Sequence, residues 1–159
     1  MFEEEQKKRI ETNFDSSLVS IPKKGRLIVS TSKESLSSLL LLLKAGGFAH
    51  LSLISCVDWI DDGELELCYH VWSQEQKIHA IVKTRIHRDS AHFISIIPIF
   101  QHAQTYEREI HEMFGVHFEG NPRLIPFLLE HWEDIPPMRK DFDLRKYAKD
   151  RFGAEERAE

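Results

Sequence analysis

Three sets of side chains in this sequence could do chemistry: nine histidines, two cysteines, and the acids of the stretch Thr-Tyr-Glu-Arg-Glu-Ile-His-Glu-Met-Phe-Gly from Thr105 to Gly115. Histidines are ready metal ligands, but no two are spaced i, i+4 as a helical metal pair needs. A zinc site would have to be assembled in space from residues such as His79, His92, His111, His117 and His131. Cys56 and Cys68 sit in apolar runs with no Cys-x-x-Cys, which predicts buried free thiols and excludes the usual iron–sulfur ligand set. The 7 glycines form neither a Gly-x-Gly-x-x-Gly nor a Gly-Lys-Ser/Thr phosphate loop, and no Gly-x-Ser-x-Gly elbow is present. Glu107 and Glu109, two apart on a helix, would point roughly 160° from each other and could not converge on one substrate atom. Glu109 and Glu112 could converge, as an acid–base pair or as members of ion pairs.

The element that must carry these acids reads as a helix. Tyr106, Ile110, Met113 and Phe114 fall at i, i+4, i+7 and i+8, Ile99 and Ala103 extend the stripe backwards, and Gly115 is the expected stop. Glu107 and Glu109 border the stripe, while Arg108 and Glu112 share the opposite face. Arg108 with Glu112, and His111 with Glu107, are spaced to pair, each worth roughly 0.2–0.5 kcal/mol in a solvated helix. The bland alternative to a docking face is an ordinary solvated one. So dense a charge pattern also fits a face that docks on another protein, where an Arg–Glu pair specifies register.

Around this helix the pattern predicts a helix over residues 3–14, a turn at Ile21-Pro22-Lys23-Lys24-Gly25, and a short strand at 26–30. A Leu-rich helix capped by Thr31 or Ser32 should then run to Lys44 and be packed on more than one side. Period-two alternation predicts strands over 50–60, 64–72 and 78–86, with Asp61-Asp62-Gly63 as a hairpin turn, hence an antiparallel meander. Strands grouped between helices give an α+β class. Pro98 begins or precedes the central helix, a short apolar helix is expected over 124–129, and the Pro136-Pro137 stretch should be extended. A charged helix should start at Leu144 and fray into the terminal Ala-Glu-Glu-Arg-Ala-Glu. The division expected is 1–115, an α+β domain ending in the Glu-Arg-Glu helix, and 116–159, an extended, aromatic- and Arg-bearing segment suited to wrapping a partner.

At 159 residues the chain is about one domain, and 42% hydrophobic with 30% charged residues suits a folded core. A net charge of -5 excludes the cationic footprint of a nucleic-acid binder and gives no attraction to anionic lipid heads. The N-terminus is charged at once and the longest aliphatic run, 39–43, is far short of the ~20 residues needed to span a bilayer. An intracellular chain that meets a membrane only through partners is expected.

Three separated motifs then carry a resemblance: Glu107-Arg108-Glu109-Ile110-His111-Glu112-Met113-Phe114-Gly115, Phe118-Glu119-Gly120-Asn121-Pro122, and Arg139-Lys140-Asp141-Phe142. In order and spacing they resemble the 30 kDa subunit family of respiratory complex I, including the equivalent subunits of membrane-bound, energy-converting NiFe hydrogenases. The sequence departs from that pattern at Asn121, where the family's Gly-His-Pro carries His, at Ile125, where a basic residue is usual, and at His111, where an aromatic is common; these departures suggest a divergent branch. The resemblance implies a structural subunit with no catalytic centre, cofactor or metal of its own. It would lie on the cytoplasmic side, against a large catalytic-type (49 kDa-like or NiFe hydrogenase) subunit and iron–sulfur subunits. Those partners would carry the iron–sulfur clusters and any NiFe centre. Glu107, Arg108, Glu109, Glu112, Phe114, Gly115, Arg139, Lys140, Asp141 and Phe142 are the interface residues it suggests, the charged ones through ion pairs within or between chains. The competing readings are a standalone metal-dependent enzyme using His and Glu, and a free-standing adaptor.

Overall fold

A computed structural model describes residues 2–153; the terminal Ala-Glu-Glu-Arg-Ala-Glu, expected to fray, lies outside them. Helix α1 (Phe2–Asn13) leads into a hairpin of β1 (Leu18–Lys23) and β2 (Arg26–Ser30), and α2 (Leu36–Ala45) follows. Then come β3 (His50–Trp59), β4 (Glu64–Ser73) and β5 (Ile78–His87), with a single 3-10 turn, Ile60–Asp62, between the first two. The turn ends at Gly63, whose φ of 68° is the left-handed geometry a glycine tolerates. The strands lie in the order β1-β2-β5-β4-β3.

The expected meander is present, since β3–β4 and β4–β5 pair antiparallel. Two features go beyond it. The segment read as a turn around Pro22 is mostly strand β1, and only Lys24 and Gly25 turn. Proline is tolerated there because β1 is an edge strand, where a missing N–H breaks no inner ladder. Strand β2 pairs parallel with β5, residue 26 opposite 79, a contact between segments some fifty positions apart that no local pattern encodes.

One face of the sheet is dry. Leu27, Val29, Leu65, Leu67, Tyr69, Ala80 and Val82 are fully buried on it. Leu36, Leu39, Leu40 and Leu43 of α2 and Ile10 of α1 pack against that face, as the leucine period predicted, although Leu41 remains exposed. Helix α2 begins at Leu36 rather than after a Thr31 or Ser32 cap, and the Thr31 hydroxyl instead bonds Ser17 Oγ at 2.8 Å.

After β5 the chain builds a second, small unit. Strand β6 (His92–Ile94) and β7 (His117–Glu119) pair parallel, joined by helix α3 (Ala103–Phe114), which packs on β3. Helix α3 starts five residues after Pro98. Val116 and Phe118 are fully buried, so the packed body continues beyond Gly115 to the turn at Asn121. No helix forms over 124–129; the chain stays irregular until α4 (Leu144–Phe152), which Asp143 caps by accepting the Lys146 N–H at 3.0 Å. Among the described residues no helix is long and apolar enough to cross a membrane.

Candidate functional site

Helix α3 is the hub of the conspicuous polar chemistry. Its buried face carries Ala103, Glu107 and Ile110, spaced four and three residues apart, so Glu107 occupies a position the helical period assigns to the core. The Glu107 carboxylate is fully buried and accepts three hydrogen bonds: from Ser95 Oγ at 2.7 Å, Ile96 N at 2.8 Å and Asn121 Nδ2 at 2.9 Å. Burial pushes its pKa above the ordinary value, and the three donors oppose that rise. This acid staples the end of β6 and the turn after β7 to α3. The expected pair between Glu107 and His111 does not form: His111 Nδ1 lies 2.8 Å from the Val116 carbonyl instead.

On the opposite face Arg108 and Glu112 do not pair with each other either; each takes the backbone of the 125–129 segment. Arg108 donates to the carbonyls of Ile125 (3.4 Å) and Pro126 (3.0 Å) and lies 4.7 Å over the Phe127 ring. Glu112 accepts the N–H groups of Phe127, Leu128 and Leu129 at 3.0, 2.8 and 2.9 Å. A cation gathers carbonyls and an anion gathers amides one helical turn away. Burial acts to raise the Glu112 pKa, but the three amides and the Arg108 charge outweigh it and hold the carboxyl below its ordinary value. This clamp is why the expected apolar helix is absent: Pro126 interrupts it, and the donors and acceptors a helix would use internally are bound to α3. The apolar side chains of the loop face outward, with Ile125, Phe127 and Leu128 at 52%, 40% and 59% exposure.

The third motif is fastened to the same body. Arg139 donates to the Phe114 carbonyl at 2.8 Å, capping the negative end of α3, and to the Arg88 carbonyl at 3.3 Å. Gly115, with φ 77°, needs its missing side chain twice over, because a Cβ there would meet Pro136 Cγ at 3.0 Å. The Lys140 N–H donates to Asp58 Oδ2 at 2.8 Å. Arg88 forks onto two acids, Asp58 (2.7 and 2.9 Å) and Asp141 (2.7 and 3.2 Å). The side chains of Asp58 and Arg88 are only 2% and 11% exposed. The Arg88 hydrogen bonds hold both carboxyls below their ordinary values and raise the pKa of Arg88 itself.

Of the sequence-derived interface residues, Glu107 lies in the core, and Arg108 and Glu112 form the clamp. Gly115, Arg139, Lys140 and Asp141 tie the last segment to its own domain. Phe142 joins Trp132 and Tyr147 in an aromatic cluster with ring centroids 4.7–5.6 Å apart. Phe114 is half-buried at the end of α3, and Glu109 is exposed beside Cys56, Met113 and Met138, apart from Glu112. The acid–base pairing of Glu109 with Glu112 is thus not set up, since Glu112 is bound to backbone amides. Asp58, Arg88 and Ser95 complete these networks in addition to the residues read from sequence. Asp58 and Ser95 are short polar residues inside apolar runs, which is the signal that marks them. The thiols carry no activation: burial raises the pKa of both, that of Cys68 to about 11. Among the described residues no three His, Cys, Asp or Glu side chains gather as a metal ion would require.

The chain is similar to known proteins over most of its length. The family model described as "Respiratory-chain NADH dehydrogenase, 30 Kd subunit" matches residues 29–148. The chain is 31% identical over 147 residues to a subunit of the NADH-quinone oxidoreductase of Neorickettsia sennetsu, covering 92% of this chain and 78% of that one. It is 35% identical over 101 residues to a subunit of the F(420)H(2) dehydrogenase of Methanosarcina mazei, covering 60% of this chain and 61% of that protein. A chain in the structure of the membrane-bound sulfane sulfur reductase, an archaeal respiratory membrane complex, superposes with a TM-score of 0.89 at 34% identity, over 98% of this chain and 94% of its own. The trypsin-resistant fragment (1-134) of Nqo5 shares the fold, with a TM-score of 0.67 at 20% identity over 77% of this chain and 99% of the fragment.

Proposed function

Because this chain belongs to the family of the 30 kDa subunit of respiratory-chain NADH dehydrogenase, we propose that it is a non-catalytic structural subunit of the peripheral, cytoplasmic arm of a complex I-like membrane-bound oxidoreductase. Likeness over nearly its whole length to a chain of an archaeal respiratory membrane complex supports that setting. A hydrogenase, a quinone-linked enzyme and a related archaeal complex all fall within it. The partners are a large catalytic-type subunit and iron–sulfur subunits, which hold the iron–sulfur clusters and any NiFe centre; contact with the membrane runs through them.

The observation that carries the reading is the Arg108–Glu112 clamp. It uses two charged side chains to hold a non-helical loop that leaves Ile125 and Leu128 more than half exposed. An unsupported loop would lose conformational entropy on binding; a clamped one has already been ordered, so its apolar tip docks at lower entropic cost. The test is the charge swap Arg108→Glu in the tagged chain expressed in its native host. Co-isolation of the redox subunits in mild detergent should fall several-fold, with turnover per assembled complex unchanged. Normal assembly with lost turnover would refute a structural role.

A further inference from the structure

The face of the five-stranded sheet turned away from the helices is electrically divided along its length. At the end bearing Glu64 the charges are neutralised: Arg85 contacts Asp62, Glu64 and Glu66 at 3.0–3.3 Å, and Lys83 contacts Glu66 at 3.0 Å. The other end is different. One row there crosses all five strands, Lys23 opposite Arg26, Arg26 opposite His79, His79 opposite Trp72, and Trp72 opposite His50. It contains two cationic side chains, two imidazoles and an indole, and no acid. Among the described residues neither Lys23 nor Arg26 enters an ion pair. The Nε of Arg26 is shielded from solvent and has no hydrogen-bond partner, which leaves its terminal nitrogens as the groups that can meet a ligand. Trp72 and His79 lie against each other with centroids 4.1 Å apart and planes inclined by 33°, which gives the row an aromatic middle. One step inward lies His70, half-buried; burial first, and then positive charge such as that of Arg26 and Lys83, holds its pKa below the ordinary value.

We propose that this row is a second docking surface and that it receives an acidic segment of a partner protein. Two unpaired cations stand side by side at one end of an aromatic floor, and the row is about 19 Å long, taking four interstrand steps of ~4.8 Å. That length suits about six residues of extended chain bringing one or two carboxylates, which the terminal guanidinium nitrogens of Arg26 can take. A nucleic acid or an anionic lipid surface fits poorly, because two cations are few against a net charge of -5. The row lies about 26 Å along β4 from the Glu64 end, eight steps of ~3.3 Å. That end is where Asp58 and Arg88 fasten the last segment. With the 125–129 loop on α3 as the first docking surface, this row as a second would let the domain bridge two neighbours.

This inference rests on the chain being a complex subunit. Its test is zero-length coupling with a water-soluble carbodiimide in the intact detergent-isolated complex, which joins the Lys23 amine to a carboxylate in contact with it, followed by peptide mass spectrometry. A Lys23 crosslink to an Asp or Glu of a partner subunit is expected, with Lys23 acetylated about tenfold more slowly in the complex than in the isolated chain, as a solvent-excluding interface requires. Lys23→Arg should abolish the crosslink while the subunits stay together. Arg26→Gln should leave the circular dichroism of the isolated chain unchanged and release the crosslinked partner at lower salt. Three outcomes overturn the proposal: Lys23 labelled equally fast in complex and isolated chain, crosslinks only to acids of its own chain, or protection that vanishes on delipidation alone. An intact complex with a freely labelled Lys23 sinks this surface and leaves the proposed function standing; a chain isolated with no partner sinks both.

Discussion

Glu112→Gln isolates the work of the clamp. The carboxylate accepts three backbone N–H groups at 2.8–3.0 Å, two on Oε1 and one on Oε2. An amide of the same shape keeps one acceptor oxygen and replaces the other with a donor. Placed where Oε1 was, the Gln oxygen still holds Phe127 and Leu129, now without charge assistance, while the Leu128 N–H faces an NH2. A hydrogen bond to a charged group contributes ~1.5–3 kcal/mol and a neutral one about half as much, the lower figures applying where solvent competes. Losing one bond and halving two therefore costs about 3 kcal/mol at the lower figures. That falls on the opening of the loop rather than on global unfolding, because the 125–129 segment lies outside the core. At about 1.4 kcal/mol per tenfold, amide exchange at Phe127, Leu128 and Leu129 should accelerate on the order of a hundredfold, while amides of β4 and β5 exchange as before.

The pH dependence has a definite sign. The folded-state pKa of Glu112 lies below its ordinary value, so the clamp's stabilisation is complete above the usual carboxylate range of about 4–5 and is lost as the pH falls through the folded value. Protection at the three amides should collapse in acid before that of the sheet does, and Glu112→Gln should remove the difference. Unchanged loop exchange in the variant, or acceleration spread evenly through β4 and β5, would refute the clamp as described.

Three more substitutions probe the supports behind it. Arg88→Ala strands the buried Asp58 carboxylate with only the Lys140 amide, and should lower unfolding free energy in urea by about 3–5 kcal/mol. Both Asp58 and Asp141 have depressed values, so the acid-side loss of stability below the carboxylate range should shrink in that variant. Glu107 has the opposite sign: its folded value is raised, so its contribution is complete below the unfolded value and declines as pH rises through the folded one. The melting temperature of wild type relative to Glu107→Gln should therefore increase as pH drops from 7 toward 5. Gly115→Ala forces a side chain into φ 77° and against Pro136, at about 1–3 kcal/mol, with faster exchange at the Met138 amide, which bonds the Met113 carbonyl.

What could be read from sequence and what could not divides along one physical line. Period gives the face a residue occupies, and from it come the meander strands, the buried leucines of α2, and the apolar stripe of α3 with its stop at Gly115. It also contains Glu107, since Ala103, Glu107 and Ile110 share a face, but a carboxylate judged by its chemistry alone belongs at the surface. Spacing along one helix says which side chains are able to meet, not which partners they prefer. Arg108 and Glu112 are four apart, yet an exposed i, i+4 pair is worth only a few tenths of a kcal/mol. Three charge-assisted bonds to unpaired amides are worth several times more. The loop between Pro122 and Leu129 has such amides because Pro126 denies it a helix, and so the pair separates to serve it. The same comparison explains Arg139, which takes the open carbonyl at the end of α3 in preference to an acid. Charged residues in these motifs look like a solvated face or an ion-pair interface only while the backbone they can reach is unknown; where unpaired backbone lies within range, it outcompetes a neighbouring opposite charge.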